Sequence, residues 1–134
     1  MGYQYRVIGL VPPEVNVDFE SIVAAVRVKF SQRNLLPEII RTATTCELRY
    51  QDWSIRIFWS DGDDVLSVSE EIAQHAKVEA EDKLGMTKCT RHVSTAADPD
   101  PSMTHFNDYV FVVEVLESFP GIYLLDPYDG TLLT

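Results

Sequence analysis

The stretch Cys46-Glu47-Leu48-Arg49-Tyr50-Gln51-Asp52-Trp53-Ser54-Ile55-Arg56-Ile57-Phe58-Trp59 decides the fold class. Cys46, Leu48 and Tyr50 alternate with Glu47, Arg49 and Gln51, and Trp53, Ile55, Ile57 and Trp59 alternate with Ser54, Arg56 and Phe58. A period of two sends successive side chains to opposite faces of a strand. Two such runs either side of Gln51-Asp52 predict a β-hairpin with one apolar face.

Working outward toward the N-terminus, Leu35 to Ile40 is apolar but interrupted by Pro37, and reads as a connection packed on the core. Before it, Phe19, Ile22, Val23, Val26 and Phe30 share one face of a helix over 19–32. Asp18 is placed to cap it, Val17 and Ile22 to form a hydrophobic staple, and Asn34 to stop it. Tyr3 to Val11 is rich in β-formers and closes at Pro12-Pro13, which predicts a first strand.

Toward the C-terminus, Asp61-Gly62-Asp63-Asp64 breaks the hairpin strand, and Ser67-Val68-Ser69-Glu70 fits a capping box. The helix that follows is expected to run to Leu84, with Gly85 just past its end. Its apolar arc is Ile72, Ala73, Ala76, Ala80 and Leu84, with Glu70, Glu71, Glu81 and Asp82 on the opposite side. Residues 86–94 alternate as a fourth strand, Asp98-Pro99-Asp100-Pro101 is a stiff acidic loop, and Ser102 is placed to cap a helix over 103–118. Tyr109 to Leu116 is β-branched enough for a strand, but its length and polar set favour a largely buried helix. Ile122–Leu125 reads as a strand, Asp126–Gly130 as a turn and Thr131–Leu133 as a short return strand. The order predicts one α+β domain over 1–134, an antiparallel sheet with helices mainly on one face. Its first six elements match the βαββαβ plan of ferredoxin-like folds, with a C-terminal helix and hairpin added.

A chain of 134 residues, 46% hydrophobic and 24% charged, has the make-up of a soluble globular domain. No apolar run approaches the ~20 residues that span a bilayer, and the N-terminus lacks the layout of a secretory signal. Cys46 and Cys89 are too few for a disulfide scaffold, so both are expected as reduced, buried thiols, with the cytoplasm as location.

Charge is distributed unevenly. The first 60 residues hold six acids and seven bases, the remaining 74 hold fifteen acids and four bases, and no lysine or arginine follows Arg91. Such a surface attracts cationic partners and repels nucleic acid and anionic membranes.

Catalytic and metal motifs are weak. After Asp61 the glycine and glutamate that an EF-hand requires at its sixth and twelfth positions are Leu66 and Ile72. Cys89 and His92, with Cys46, His75 or His105, have only one short ligand spacing where structural zinc shows two. Cys89 with His92 or His105 lacks a nucleophile elbow or glycine-rich oxyanion turn, and neither glycine-rich phosphate motif occurs. The pairs Asp98/Asp100 and Asp126/Asp129 lie in Asp-Pro and Asp-Gly steps that turns use for backbone reasons. The expectation is no enzyme, no metal and no cofactor.

Phe106-Asn107-Asp108-Tyr109, then Phe119-Pro120-Gly121-Ile122-Tyr123-Leu124-Leu125-Asp126-Pro127 and Gly130, resembles the style of small acidic bacterial immunity proteins that guard against polymorphic toxins. The resemblance covers about a quarter of the chain. It implies a single cytoplasmic α+β domain that covers a toxin's active surface. The function expected is therefore an acidic protein-binding module, an immunity-type inhibitor of a basic toxin or nuclease. Glu70, Glu71, Glu81, Asp82, Asp98 and Asp100 are its expected contact residues. The alternative is a ferredoxin-like small-ligand-binding or regulatory domain acting as a homodimer, which would present an apolar pocket.

Overall fold

A computed structural model describes residues 5–32, 37–62 and 64–133. The elements run β1 (Ile8–Val11), α1 (Phe19–Ser31), β2 (Glu38–Arg41), β3 (Thr45–Arg49), β4 (Ser54–Ser60), α2 (Val65–His75), α3 (Ala80–Thr87), β5 (Arg91–Ala97), α4 (Phe106–Glu117) and β6 (Tyr123–Leu125). The class is α+β, and the strands form one antiparallel sheet in the order β2-β3-β4-β5-β1-β6.

That order departs from the ferredoxin-like plan. The split βαβ arrangement needs crossovers that return strands in parallel, whereas here β5 lies between β4 and β1 and each ladder is antiparallel. Nor do the helices gather on one face. Adjacent residues of a strand face opposite ways, and Leu124 joins one core while Leu125 joins another. The larger core holds Val11, Ile55, Ile57, Val93 and Leu124 beneath α1 and α4. The smaller holds Leu10 and Leu125 beneath Ala73 of α2 and Met86 of α3.

The hairpin forms as its alternation requires. Cys46, Leu48, Ile55 and Ile57 are buried, with Cys46 opposite Ile57 and Leu48 opposite Ile55, and the Tyr50 amide donates to Trp53 O at 2.8 Å across the turn. Asp18 caps α1 as expected: its Oδ1 accepts the Ser21 amide at 2.8 Å, and the apolar stripe from Phe19 to Phe30 is buried. α4 packs beside α1 through Phe30 against Phe111 and a 2.8 Å ion pair between Lys29 and Glu114. The choice at 109–116 is thus a helix.

Several boundaries differ. The first strand is shorter than 3–11; residues 1–4, like the proposed stop at Asn34, lie outside the described residues. The connection after Pro37 is an edge strand, β2, since Ile39 pairs with Leu48 and Arg41 with Cys46. Pro37 precedes its first residue, where a missing amide costs no ladder bond. The return strand at 131–133 reduces to a single bridge, Leu125 to Leu132. Ser102 does not cap the last helix, which begins at Phe106.

The expected helix 67–84 is two helices. Ala76 is extended, with ψ 141°, and the Lys77 amide donates out of the helix to Gly130 O at 2.9 Å. A tertiary bond thus takes the place of the next helical one. Gly85 lies inside α3 rather than past its end, and a Cβ there would sit 2.1 Å from the Tyr123 hydroxyl, so the glycine serves a close approach and not a helix stop. Met86 is accordingly the buried close of α3, and the following strand begins at Arg91.

Candidate partner-binding site

The six expected contact residues separate into two classes. Glu70 and Glu71 are exposed on α2, Glu81 is exposed on α3 and Asp82 is half-buried there; none of these four has a hydrogen bond or ion pair from its carboxylate among the described residues. Asp98 and Asp100 do not belong with them. Asp98 accepts from Arg56 at 2.9 Å and from Ser54 Oγ and the Ser54 amide at 3.1 Å. The Arg56 guanidinium holds its carboxyl below the usual range. Asp100 is 5% exposed; it accepts from the Tyr5 hydroxyl at 2.6 Å and from the Thr104 and His105 amides at 3.1 and 2.8 Å. Its carboxyl closes the turn that precedes α4, accepting from two amides just before the first helical residue, Phe106. A Pro-Asp-Pro loop reads as exposed in sequence; only the distant Tyr5, 95 positions away, draws Asp100 inside.

The ion pairs cluster elsewhere. Arg41 with Glu20, Arg49 with Glu47, Arg56 with Asp98 and Lys29 with Glu114 all lie on β2–β4, α1, α4 or the loop after β5. Arg91, the last base of the chain, donates to Val17 O, Pro12 O and Val15 O at 2.7, 2.5 and 2.8 Å, so its guanidinium is engaged in holding the loop before α1. On the α2–α3 side residues 64–88 hold six acids against Lys77, Lys83 and Lys88, so negative charge is in excess there, and none of the three lysines is in an ion pair among the described residues.

Of these acids only Glu71 borders a cleft of about 650 Å³ between α2 and the turn after β6. Ile8, Ile72 and Leu125 form its floor, and Glu71, Asp126 and Asp129 bring carboxylates to it, with Lys77 as the opposing cation. Asp126 accepts the Tyr128 amide at 2.8 Å through Oδ1, and Asp129 accepts the Thr131 amide and hydroxyl at 3.0 and 2.6 Å through Oδ1. Those bonds, the hydroxyl's first, hold the Asp129 carboxyl below its ordinary range. Both aspartates thus build the turn, as the sequence suggests. The cleft itself was not legible, because it needs the 76–130 contact that joins two distant segments.

The groups weighed for catalysis are committed to structure. Cys46 and Cys89 are free, buried and in the two different cores, on opposite faces of the sheet. Burial pushes the Cys89 thiol up to about 12, far from a reactive thiolate. Ser69 Oγ lies 2.8 Å from His92 Nε2, yet it is fully buried and its proton goes to the Cys89 carbonyl at 2.8 Å. The histidine must then donate to the hydroxyl, the reverse of nucleophile activation. His105 stacks on Trp53, centroids 4.6 Å apart and 3° from parallel, while Nδ1 meets Asp108 at 3.1 Å and Nε2 meets Asp52 at 3.3 Å. Both nitrogens lie against carboxylates and tie the hairpin turn to α4. Among the described residues no three His, Cys, Asp or Glu side chains converge on a metal position.

Burial also lowers the His92 imidazole's proton affinity, against a smaller opposing field from Asp64. Between that lowered value and the ordinary one near 6.5, the unfolded chain binds more protons than the folded one. Stability from neutral His92 is complete above about pH 6.5 and is lost as pH falls below it. Urea unfolding at pH 7.5 and 5.5 should show the lower value in acid. His92→Gln, which keeps a donor toward Ser69, should flatten the difference; an unchanged slope would assign it to other groups.

No helix is long and apolar enough to cross a membrane among the described residues. Comparison of the chain with protein-family models, with curated proteins and with solved structures finds no match.

Proposed function

We propose that this protein is an acidic protein-binding module that docks a basic protein surface on the side formed by α2, α3 and the turn after β6. One observation carries the reading: residues 64–88 hold six acids against three lysines, and the carboxylates of Glu70, Glu71, Glu81 and Asp82 make no ion pair among the described residues, whereas Glu20, Glu47, Asp98 and Glu114 are each paired with an arginine or lysine. Burial and the field of Asp82, with Glu14 and Glu81, raise the Tyr123 phenol, in keeping with negative potential at the α3 end of this side. Unpaired charge of one sign steers a complementary partner and selects against others. An immunity-type inhibitor that occludes the cationic active surface of a toxin or nuclease is the function this fits. Asp98 and Asp100 have no part in it.

A nona-arginine peptide is a defined probe. Titrated into the isotope-labelled protein at low salt, it should shift amides of residues 64–88 and 126–130, and the shifts should collapse in about 0.5 M NaCl, where charges are screened beyond a few Å. Glu71→Lys with Asp82→Lys should weaken the interaction at least tenfold without loss of fold. Shifts centred on β2, β3 and β4, or binding unchanged by the double reversal, would sink the reading.

A further inference from the structure

The docking side has more than charge: it has a concavity, and the concavity is amphipathic. We infer that the cleft between α2 and the turn after β6 is an anchor pocket for an arginine side chain presented by an exposed segment of the basic partner. The inference rests on the proposed docking side and names what enters it.

Three features point to that occupant. The floor of Ile8, Ile72 and Leu125 is apolar and suits the methylene stem of a long cationic side chain. Glu71, Asp126 and Asp129 supply three carboxylates against the single ammonium of Lys77. Asp126 and Asp129 each use only Oδ1 within the turn, and their second oxygens carry no hydrogen bond among the described residues. Glu71 has no bond from its carboxylate at all among them. A guanidinium, planar and always charged, matches such oxygens better than a compact ammonium does, and keeps a stem to lie on the floor. A cleft of about 650 Å³ has room for the anchor and part of the segment bearing it. Anchors of this kind, seated in a pocket and ringed by weaker contacts, dominate interface energies.

Benzamidine, an apolar ring bearing a planar cation, tests the pocket with benzamide as neutral isostere and benzoate as anion. Methyl resonances of Ile8, Ile72 and Leu125 should move with benzamidine, and benzamide should bind at least fivefold more weakly. Benzoate should not bind. Glu71→Gln, an exposed change that leaves the core intact, should reduce benzamidine affinity by about fivefold, and benzamidine should displace nona-arginine from residues 126–130. Equal binding of benzamide, or preference for benzoate, would overturn the arginine pocket and leave a neutral apolar or anion-binding cleft. Nona-arginine shifts along α3 with no benzamidine shift at the floor would remove the anchor while leaving the docking side standing. Absence of both would remove the two together.

Discussion

Replacing Asp100 by alanine should lower the unfolding free energy by about 3–4 kcal/mol, the cost of leaving its buried donors without an acceptor. The buried carboxylate accepts three donors, the Tyr5 hydroxyl and the Thr104 and His105 amides, and alanine accepts none. For a domain of this size that is a fall in midpoint on the order of 10–15 °C. Asp100→Asn, which keeps one acceptor oxygen, should recover part of the loss. Binding of nona-arginine at low temperature should be unchanged in both variants, because the residue faces the core side of the sheet with Tyr5 and not the α2–α3 side. Calorimetry and the peptide titration check the two halves separately. A loss under ~1 kcal/mol would show that the amides and hydroxyl find other acceptors.

The second large effect belongs to Gly130. Its φ is +75°, and a Cβ there would stand 2.7 Å from the His75 carbonyl oxygen and 3.3 Å from Ala76 Cα. Both contacts are backbone and cannot swing aside, and a side chain at positive φ is itself strained by roughly 1–2 kcal/mol. Gly130→Ala should therefore cost about 2–3 kcal/mol and push the turn off the end of α2, breaking the 2.9 Å bond from the Lys77 amide. The cleft shares that seam, so benzamidine shifts at Ile72 and Leu125 should disappear as well. Gly62→Ala is the control. Its Cβ would meet only the Asp64 carboxylate, at 3.1 Å, and the change should stay within ~0.5 kcal/mol. Urea denaturation of the two variants measures the difference. Equal stability would show that the turn is held by something other than this close approach.

These two residues also mark where reading the chain succeeds and where it stops. Gly130 was placed in a turn by its neighbours Asp126-Pro127, and the turn is there, with its amide donating to Asp126 O at 2.9 Å. What it packs against was hidden, because His75 and Ala76 are more than 50 positions away. The same contact splits α2 from α3, which the uninterrupted apolar arc from Ile72 to Leu84 gave no reason to expect. Local periodicity reports which faces are apolar; it does not report where a neighbouring segment will take an amide out of the helix. The exposure of Glu70, Glu71 and Glu81 and the half-burial of Asp82 follow from their place opposite an apolar arc. The burial of Asp100 and the pairing of Asp98 with Arg56 were not legible, because a carboxylate in a Pro-rich loop looks solvated and unpaired until a distant hydroxyl or guanidinium meets it.

By itself the amino-acid sequence determined the hairpin and its apolar face, the capped helix after Asp18, the α+β class and the excess of acids beyond residue 60, for each is a matter of local spacing or composition. Tertiary structure alone decided the strand order, the division of the helices between two faces, the burial of Asp100 and the cleft at Gly130. Each of those depends on contacts between segments far apart in the chain, whose registry follows from how whole faces fit together and is written in no single stretch of residues.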